Sequence, residues 1–212
     1  MKKIKICTPV IGKTLKEFLI NLDKVQEISE MVELRFDDIK DLNQRNLQLI
    51  REKTIKEAVF TSRKKEIILK ALDLEFDFVD IDFSLINNFN LSKPRKTKII
   101  ISFHDFKKTP SLILLKSIMK KMKQLKPYIM KFATMVDSDK DIRKLLSLLI
   151  NKDNDEELIV IGMGKKGKIT RVIGPLLGSF LTYASTPFGK TASGQIDLKK
   201  MQNIYKLLVT NN

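Results

Sequence analysis

Cysteine and histidine are almost absent from this chain: Cys7 is its only cysteine and His104 its only histidine. One thiol forbids an intrachain disulfide and a cysteine-based zinc site, and one imidazole forbids a multi-histidine centre, so only carboxylates could hold a metal. Long uncharged apolar runs are also missing, which leaves no stretch able to span a bilayer as a helix. Residues 1–13, MKKIKICTPVIGK, have the basic start of a secretory signal. Lys5 interrupts that pattern, Pro9 follows, and no cleavage-site motif closes the apolar run 6–12. No Gly/Ser/Pro-rich linker divides the chain, so residues 1–212 are expected to form one domain. A reducing compartment, the cytoplasm, is the expected location, with no membrane partner.

What is present suffices for a globular core: 212 residues of which 43% are hydrophobic. Lys and Arg number 40 against 25 Asp and Glu, a formal charge of +15 that favours anionic partners. Nucleic acid is one such partner, and KKMKQLK (120–126) is the kind of basic cluster it would use. That cluster falls on a predicted outer helix face with little aromatic interleaving, the pattern of a solvated surface, so the expectation is no nucleic-acid partner.

Eight β-branched or apolar runs recur along the chain, at 4–10, 31–36, 57–62, 76–82, 98–103, 128–135, 157–163 and 176–185. Between them lie helical patterns with apolar residues three and four apart, as in 14–29, 38–53, 109–125 and 137–151. Continuous apolar strands mean that both sheet faces are covered, as in a parallel sheet flanked by helices. The expected fold is an α/β (β/α)8 TIM-type barrel, somewhat shorter than the ~250 residues typical of that fold. A doubly wound open sheet is the structural alternative. In a barrel, functional groups gather at the C-terminal ends of the strands, and these ends carry Glu33, Arg35, Arg63, Asp80, Asp82, His104 and Lys131.

Glu33 and Arg35 lie two apart and so point to one side of a strand, either around a polar ligand or as an ion pair closing the barrel. Arg63 reads on its own as a helix-start residue. Lys131, in YIMKFATM, has apolar neighbours on both sides and nowhere inexpensive to place its charge. Desolvation would lower its pKa and yield the neutral amine that imine formation requires. The alternative is a lysine that snorkels to the barrel mouth. His104 carries an imidazole, the side-chain type suited to moving protons at physiological pH, and would sit close to Lys131, which fits proton transfer beside an imine; alone it reads as a hydrogen-bonding or surface residue.

The segment GMGKKGKITR (162–171) satisfies both a dinucleotide-type and a P-loop-type glycine spacing. Ile169 stands where a P-loop needs Ser or Thr, and no acidic residue occurs between Glu157 and Asp197 to meet a ribose. The expectation is a glycine-rich turn that brings Arg171 to an anion.

Seven blocks in order, ELRFD (33–37), FTSR (60–63), SFHDFKKTP (102–110), KFATM (131–135), GMGKKGKITRV (162–172), GSFLTYAS (178–185) and ASGQI (192–196), resemble the type I 3-dehydroquinate dehydratases of the shikimate pathway. The resemblance implies a (β/α)8 barrel that converts 3-dehydroquinate to 3-dehydroshikimate without metal or bound cofactor. It places Lys131 on the imine-forming lysine and His104 on the general acid/base. Glu33, Arg35, Arg63, Arg171 and Gln195 fall on substrate-binding positions, and Thr191 stands where a substrate-binding Ser is common. It also suggests a homodimer.

The chain departs from the family pattern in places. Relatives often carry Glu-Gly-Gly after the FTSR arginine, with that Glu orienting the histidine; here the chain reads RKKEII, with Glu66 one place early. Glu66 and Asp82 are both candidates to support His104. Thr170 replaces a usual Ser and Ser193 a usual Pro. Another lysine-imine barrel, such as an aldolase, would share Lys131 but would not dehydrate 3-dehydroquinate.

Overall fold

The computed structural model describes residues 3–39, 42–91 and 95–209. Eight strands occupy the eight apolar runs, with β5 continuing two residues past its run: β1 (Ile6–Val10), β2 (Met31–Arg35), β3 (Glu57–Thr61), β4 (Phe78–Asp82), β5 (Lys98–Asp105), β6 (Ile129–Met135), β7 (Leu158–Met163) and β8 (Thr182–Ser185). All pair in parallel, in the order β7-β6-β5-β4-β3-β2-β1-β8, and a two-residue β9 (Ile196–Asp197) adds to β8. The curled sheet meets itself where Leu158 bridges Ser179, just before β8, and Phe180 N donates to Leu158 O at 2.7 Å. The fold is thus a curled, all-parallel α/β sheet of the TIM-barrel type.

Helices α1 (Leu15–Ile28), α2 (Gln44–Lys53), α3 (Lys65–Asp73), α4 (Leu112–Gln124), α5 (Asp139–Ile150), α6 (Gly164–Leu176) and α7 (Leu198–Val209) alternate with the strands. Their starts are written locally. Thr14, Asn43, Ser111 and Ser138 each accept a backbone N–H of the first turn, and Ser138 with Asp141 forms a capping box. The apolar stripe of α5, with Leu145, Leu148 and Leu149 buried, illustrates how the outer helices seal the sheet. Under α1 and α2, rings stack from Phe18 to Phe36 (5.1 Å) and Phe36 to Phe60 (4.4 Å), and Phe76 continues the column. Such pairs add roughly 0.5–1.5 kcal/mol each beyond area burial.

Some elements differ from the sequence expectation. The run 176–185 is strand only from Thr182; its first residue ends α6, and Gly178 turns the chain at φ +92°. After β4 the chain makes a short 3-10 helix (Phe83–Asn88) instead of a full α-helix. The segment 162–171 is not a glycine turn, because α6 begins at Gly164 and carries Arg171 within it. Its glycines serve close packing: a Cβ on Gly167 would strike the Gly162 backbone, and Thr170 Oγ1 bonds both Gly162 N (2.7 Å) and Gly167 O (2.8 Å). Helix α2 starts at Gln44, and Lys40 and Asp41 of the anticipated helical run lie outside the described residues.

Candidate active site

The strand period of two organises the barrel interior into storeys. The lowest is apolar and includes Cys7, Met31, Val59, Phe78, Ile100, Ile129 and Ile159. Two residues further along their strands come Glu33, Thr61, Asp80, Ser102, Lys131 and Ile161, and two further still Arg35, Arg63, Asp82, His104, Ala133 and Met163. Both upper storeys line one pocket at the C-terminal mouth, joined by Arg171 from α6, Tyr183 from β8 and Thr191 and Gln195 from the loop before β9. The eight residues assigned in the sequence to catalysis or substrate binding all line this cavity: Glu33, Arg35, Arg63, His104, Lys131, Arg171, Thr191 and Gln195.

Lys131 does not snorkel; it is 5% exposed, and its Nζ donates to Asp80 Oδ2 at 2.7 Å. The nitrogen also stands over the Tyr183 ring, 4.8 Å from its centre, a favourable place for a desolvated cation. Burial works against the charge, but Asp80 and Glu33 outweigh it and hold the ammonium above the ordinary lysine range. The expected pKa depression is thus reversed, because the carboxylate two strands away on β4, in the same storey, outweighs desolvation. Burial also pushes the Tyr183 phenol well up, so that it stays neutral, and does the same to the Cys7 thiol beneath.

His104 lies within β5, not after it, and its Nδ1 is 3.0 Å from Asp82 Oδ2. Its ring stacks on Phe106, which is 60% exposed at the rim, with centres 5.7 Å apart and planes 6° apart. Glu66 lies exposed in the first turn of α3 and is absent from the pocket lining; Asp82 makes the contact. Burial would raise the Asp82 pKa, yet its bonds to His104 and Ser84 bring it down to about 2.

Arg171 is 1% exposed, and its hydrogen bond is a long one, from Nη1 to Tyr183 O at 3.5 Å. Its Nε has no partner, and burial lowers the guanidinium to about 10 against the opposing pull of Glu33. A sequestered guanidinium without a carboxylate of its own is arranged to receive an anion. Arg35 instead has company: burial opposes its charge, while Glu33 at 3.8 Å and Asp37 at 3.0 Å more than offset this. Arg63 is exposed at the rim, its backbone N bonded to Asp37 Oδ1. Gln195 folds back on its loop, Oε1 accepting Thr191 N at 2.9 Å and Nε2 donating to Thr191 Oγ1 at 3.2 Å.

Asp80 and Tyr183 carried no role in the sequence reading. The signal for Asp80 was its place two residues after Phe78 and two before Asp82 on one strand. Tyr183 gave no signal, since an aromatic in a buried strand reads as core. Among the described residues, no cluster of three His, Cys, Asp or Glu side chains could hold a metal ion, and no helix is long and apolar enough to cross a membrane. The basic run 120–126 sits at the end of α4, where Lys123 is engaged by Asp153 and Glu156.

Fold and mouth together define the class, an enzyme-type α/β barrel whose polar centre is built around a buried lysine. Comparison with known proteins refines this. The family model for type I 3-dehydroquinase matches residues 6–212, and the chain belongs to that family. The 3-dehydroquinate dehydratase of Coxiella burnetii is 39% identical, with 95% of this chain and 92% of that protein covered. That of Methanocaldococcus jannaschii is 36% identical, with 96% and 98% covered. Among solved structures, the Geobacillus kaustophilus 3-dehydroquinate dehydratase matches with a TM-score of 0.88 at 23% identity, covering 98% of this chain and 91% of that one. The Clostridium difficile type I enzyme, with covalently modified comenic acid, matches at 0.84 and 25% identity, covering 99% and 94%.

Proposed function

We propose that this chain dehydrates 3-dehydroquinate to 3-dehydroshikimate through an imine on Lys131. The observation that carries the reading is the buried Lys131–Asp80 pair in a mouth that also holds an unpaired, buried Arg171. Family membership supports the substrate, since the relatives bear the dehydratase name.

The resting ammonium fits the chemistry through charge balance. Condensation with a ketone exchanges one ammonium for one iminium and one water, so two of the three ammonium protons leave on the former carbonyl oxygen. Charge is conserved, and Asp80 faces a cation before and after. Asp80, 2.7 Å away, is placed to take up the first proton and free the lone pair. His104 then removes the C2 proton; the C–H electron pair becomes the C2=C3 bond and the iminium π pair settles on nitrogen, giving an enamine. Return of that pair expels the C1 hydroxyl, which leaves as water with the proton His104 carried. Hydrolysis of the conjugated imine restores Lys131.

Around this centre Arg171 grips the substrate carboxylate by paired hydrogen bonds. Glu33, Arg35, Arg63, Thr191 and Gln195 meet its hydroxyl groups and rim, and Gln195 would exchange its loop bonds for substrate. The test is an ultraviolet assay for the conjugated enone on wild type and Lys131→Ala, with borohydride trapping in parallel. Enone formation by wild type, its loss in the variant and a reduced adduct on the Lys131 peptide are expected. An adduct on another lysine, or none, would overturn the reading.

A further inference from the structure

We propose that Asp82, a residue of β4, is the positioning residue that fixes the tautomer of His104, leaving Nδ1 protonated and Nε2 bare. Both carboxylate oxygens are committed. Oδ1 caps the 3-10 helix that follows β4, accepting Ser84 N at 2.9 Å and Ser84 Oγ at 2.6 Å. Oδ2 faces His104 Nδ1 at 3.0 Å. A carboxylate can only accept, so the imidazole must donate from Nδ1, and Nε2 is the nitrogen left to take a proton. Phe106 lies parallel to the ring, with centres 5.7 Å apart and planes 6° apart. Besides Asp82, the charged groups sharing the cavity with the ring are Glu33, Asp37, Asp80, Lys131, Arg35, Arg63 and Arg171. The contact to an imidazole nitrogen is made by Asp82 Oδ2, at Nδ1.

The placement has a structural reason. Glu66 sits in the exposed first turn of α3, where its charge favours the helix start and points away from the pocket. The chain therefore orients its histidine from the next strand, using the same carboxylate that starts the 3-10 helix. The inference rests on His104 being the acid/base of the proposed reaction, but its physical content, the tautomer, does not require that substrate.

A chain with one histidine allows a direct measurement. Protein labelled with 15N and prepared without a histidine tag should give a long-range 1H–15N spectrum with a single imidazole, whose neutral form is Nδ1–H. In Asp82→Asn, Ser84 N–H keeps the amide oxygen, so the amide NH2 turns to Nδ1 and forces Nε2–H. That variant should show the switched tautomer, with kcat down on the order of 10²–10⁴ and KM little changed. Glu66→Gln should match wild type in spectrum and rate. An Nε2–H tautomer in wild type, or Asp82→Asn within about twofold of wild-type kcat, would overturn the proposal. The wild-type spectrum decides even if the variant does not fold. A wild type inactive on 3-dehydroquinate but showing Nδ1–H would sink the proposed function and leave this inference standing.

Discussion

Lys131 and Asp80 meet across a strand: they come from β6 and β4, which flank β5, and their side chains close a 2.7 Å ion pair inside the barrel. Removing the carboxylate would leave a cation sealed in an apolar setting. Asp80→Asn is expected to cost roughly 3–5 kcal/mol, or at least about 6 °C of melting temperature. Because folding raises the Lys131 pKa, the pair's stabilisation is complete below the ordinary lysine value and fades only as pH rises through the still higher folded value. The gap in melting temperature between variant and wild type should therefore be flat from about pH 6 to about pH 9. The freed amine should also become reactive at lower pH, so formaldehyde with borohydride would modify the Lys131 peptide of the variant near pH 8 far faster than that of wild type.

Arg171 supplies a second prediction. Folding lowers its pKa to about 10, so its burial costs stability at every pH below that value and the cost diminishes above it. A bound carboxylate would offset the cost. Small carboxylate ligands that compete with substrate should raise the melting temperature of wild type, and the rise should vanish in Arg171→Ala. Arg171→Lys keeps the charge but loses the planar fork, and KM should rise roughly 10- to 100-fold, with a smaller change in kcat.

The helix that carries Arg171 is placed by contact between two glycines. A methyl group on Gly167 has only the Gly162 backbone to push against, and β7 cannot yield without opening its pairing with β6. Gly167→Ala should cost roughly 1–3 kcal/mol. Because α6 would be displaced at its N-terminal end, KM should rise as well. A variant that melts lower yet binds normally would mean that Arg171 is held from elsewhere, by Tyr183 O for example.

How much of this was legible in the sequence follows from what each residue reports. Strands buried on both faces read as unbroken apolar runs, so the eight strands and the barrel class could be read from composition along the chain. Lys131 and His104 stood out because each is anomalous in its own segment. Asp82 stood only beside Glu66 as a candidate partner of His104, and Asp80 had no role, since a carboxylate near a strand end looks the same whether it faces solvent or an ammonium on another strand; only the folded register joins residues 51 positions apart. That is also why the amine's protonation came out reversed. Helix α6 was hidden by its glycines, whose low helix propensity is a local signal, while the packing that requires them is a tertiary one.

Cys7 forms part of the apolar floor beneath the lysine, closed to solvent and with its thiol kept protonated by burial. The product of the proposed reaction is an electrophile, an unsaturated ketone of the kind that alkylates exposed sulfur. With its one sulfhydryl walled off in this way, the chain presents no exposed thiolate that could add to such a product.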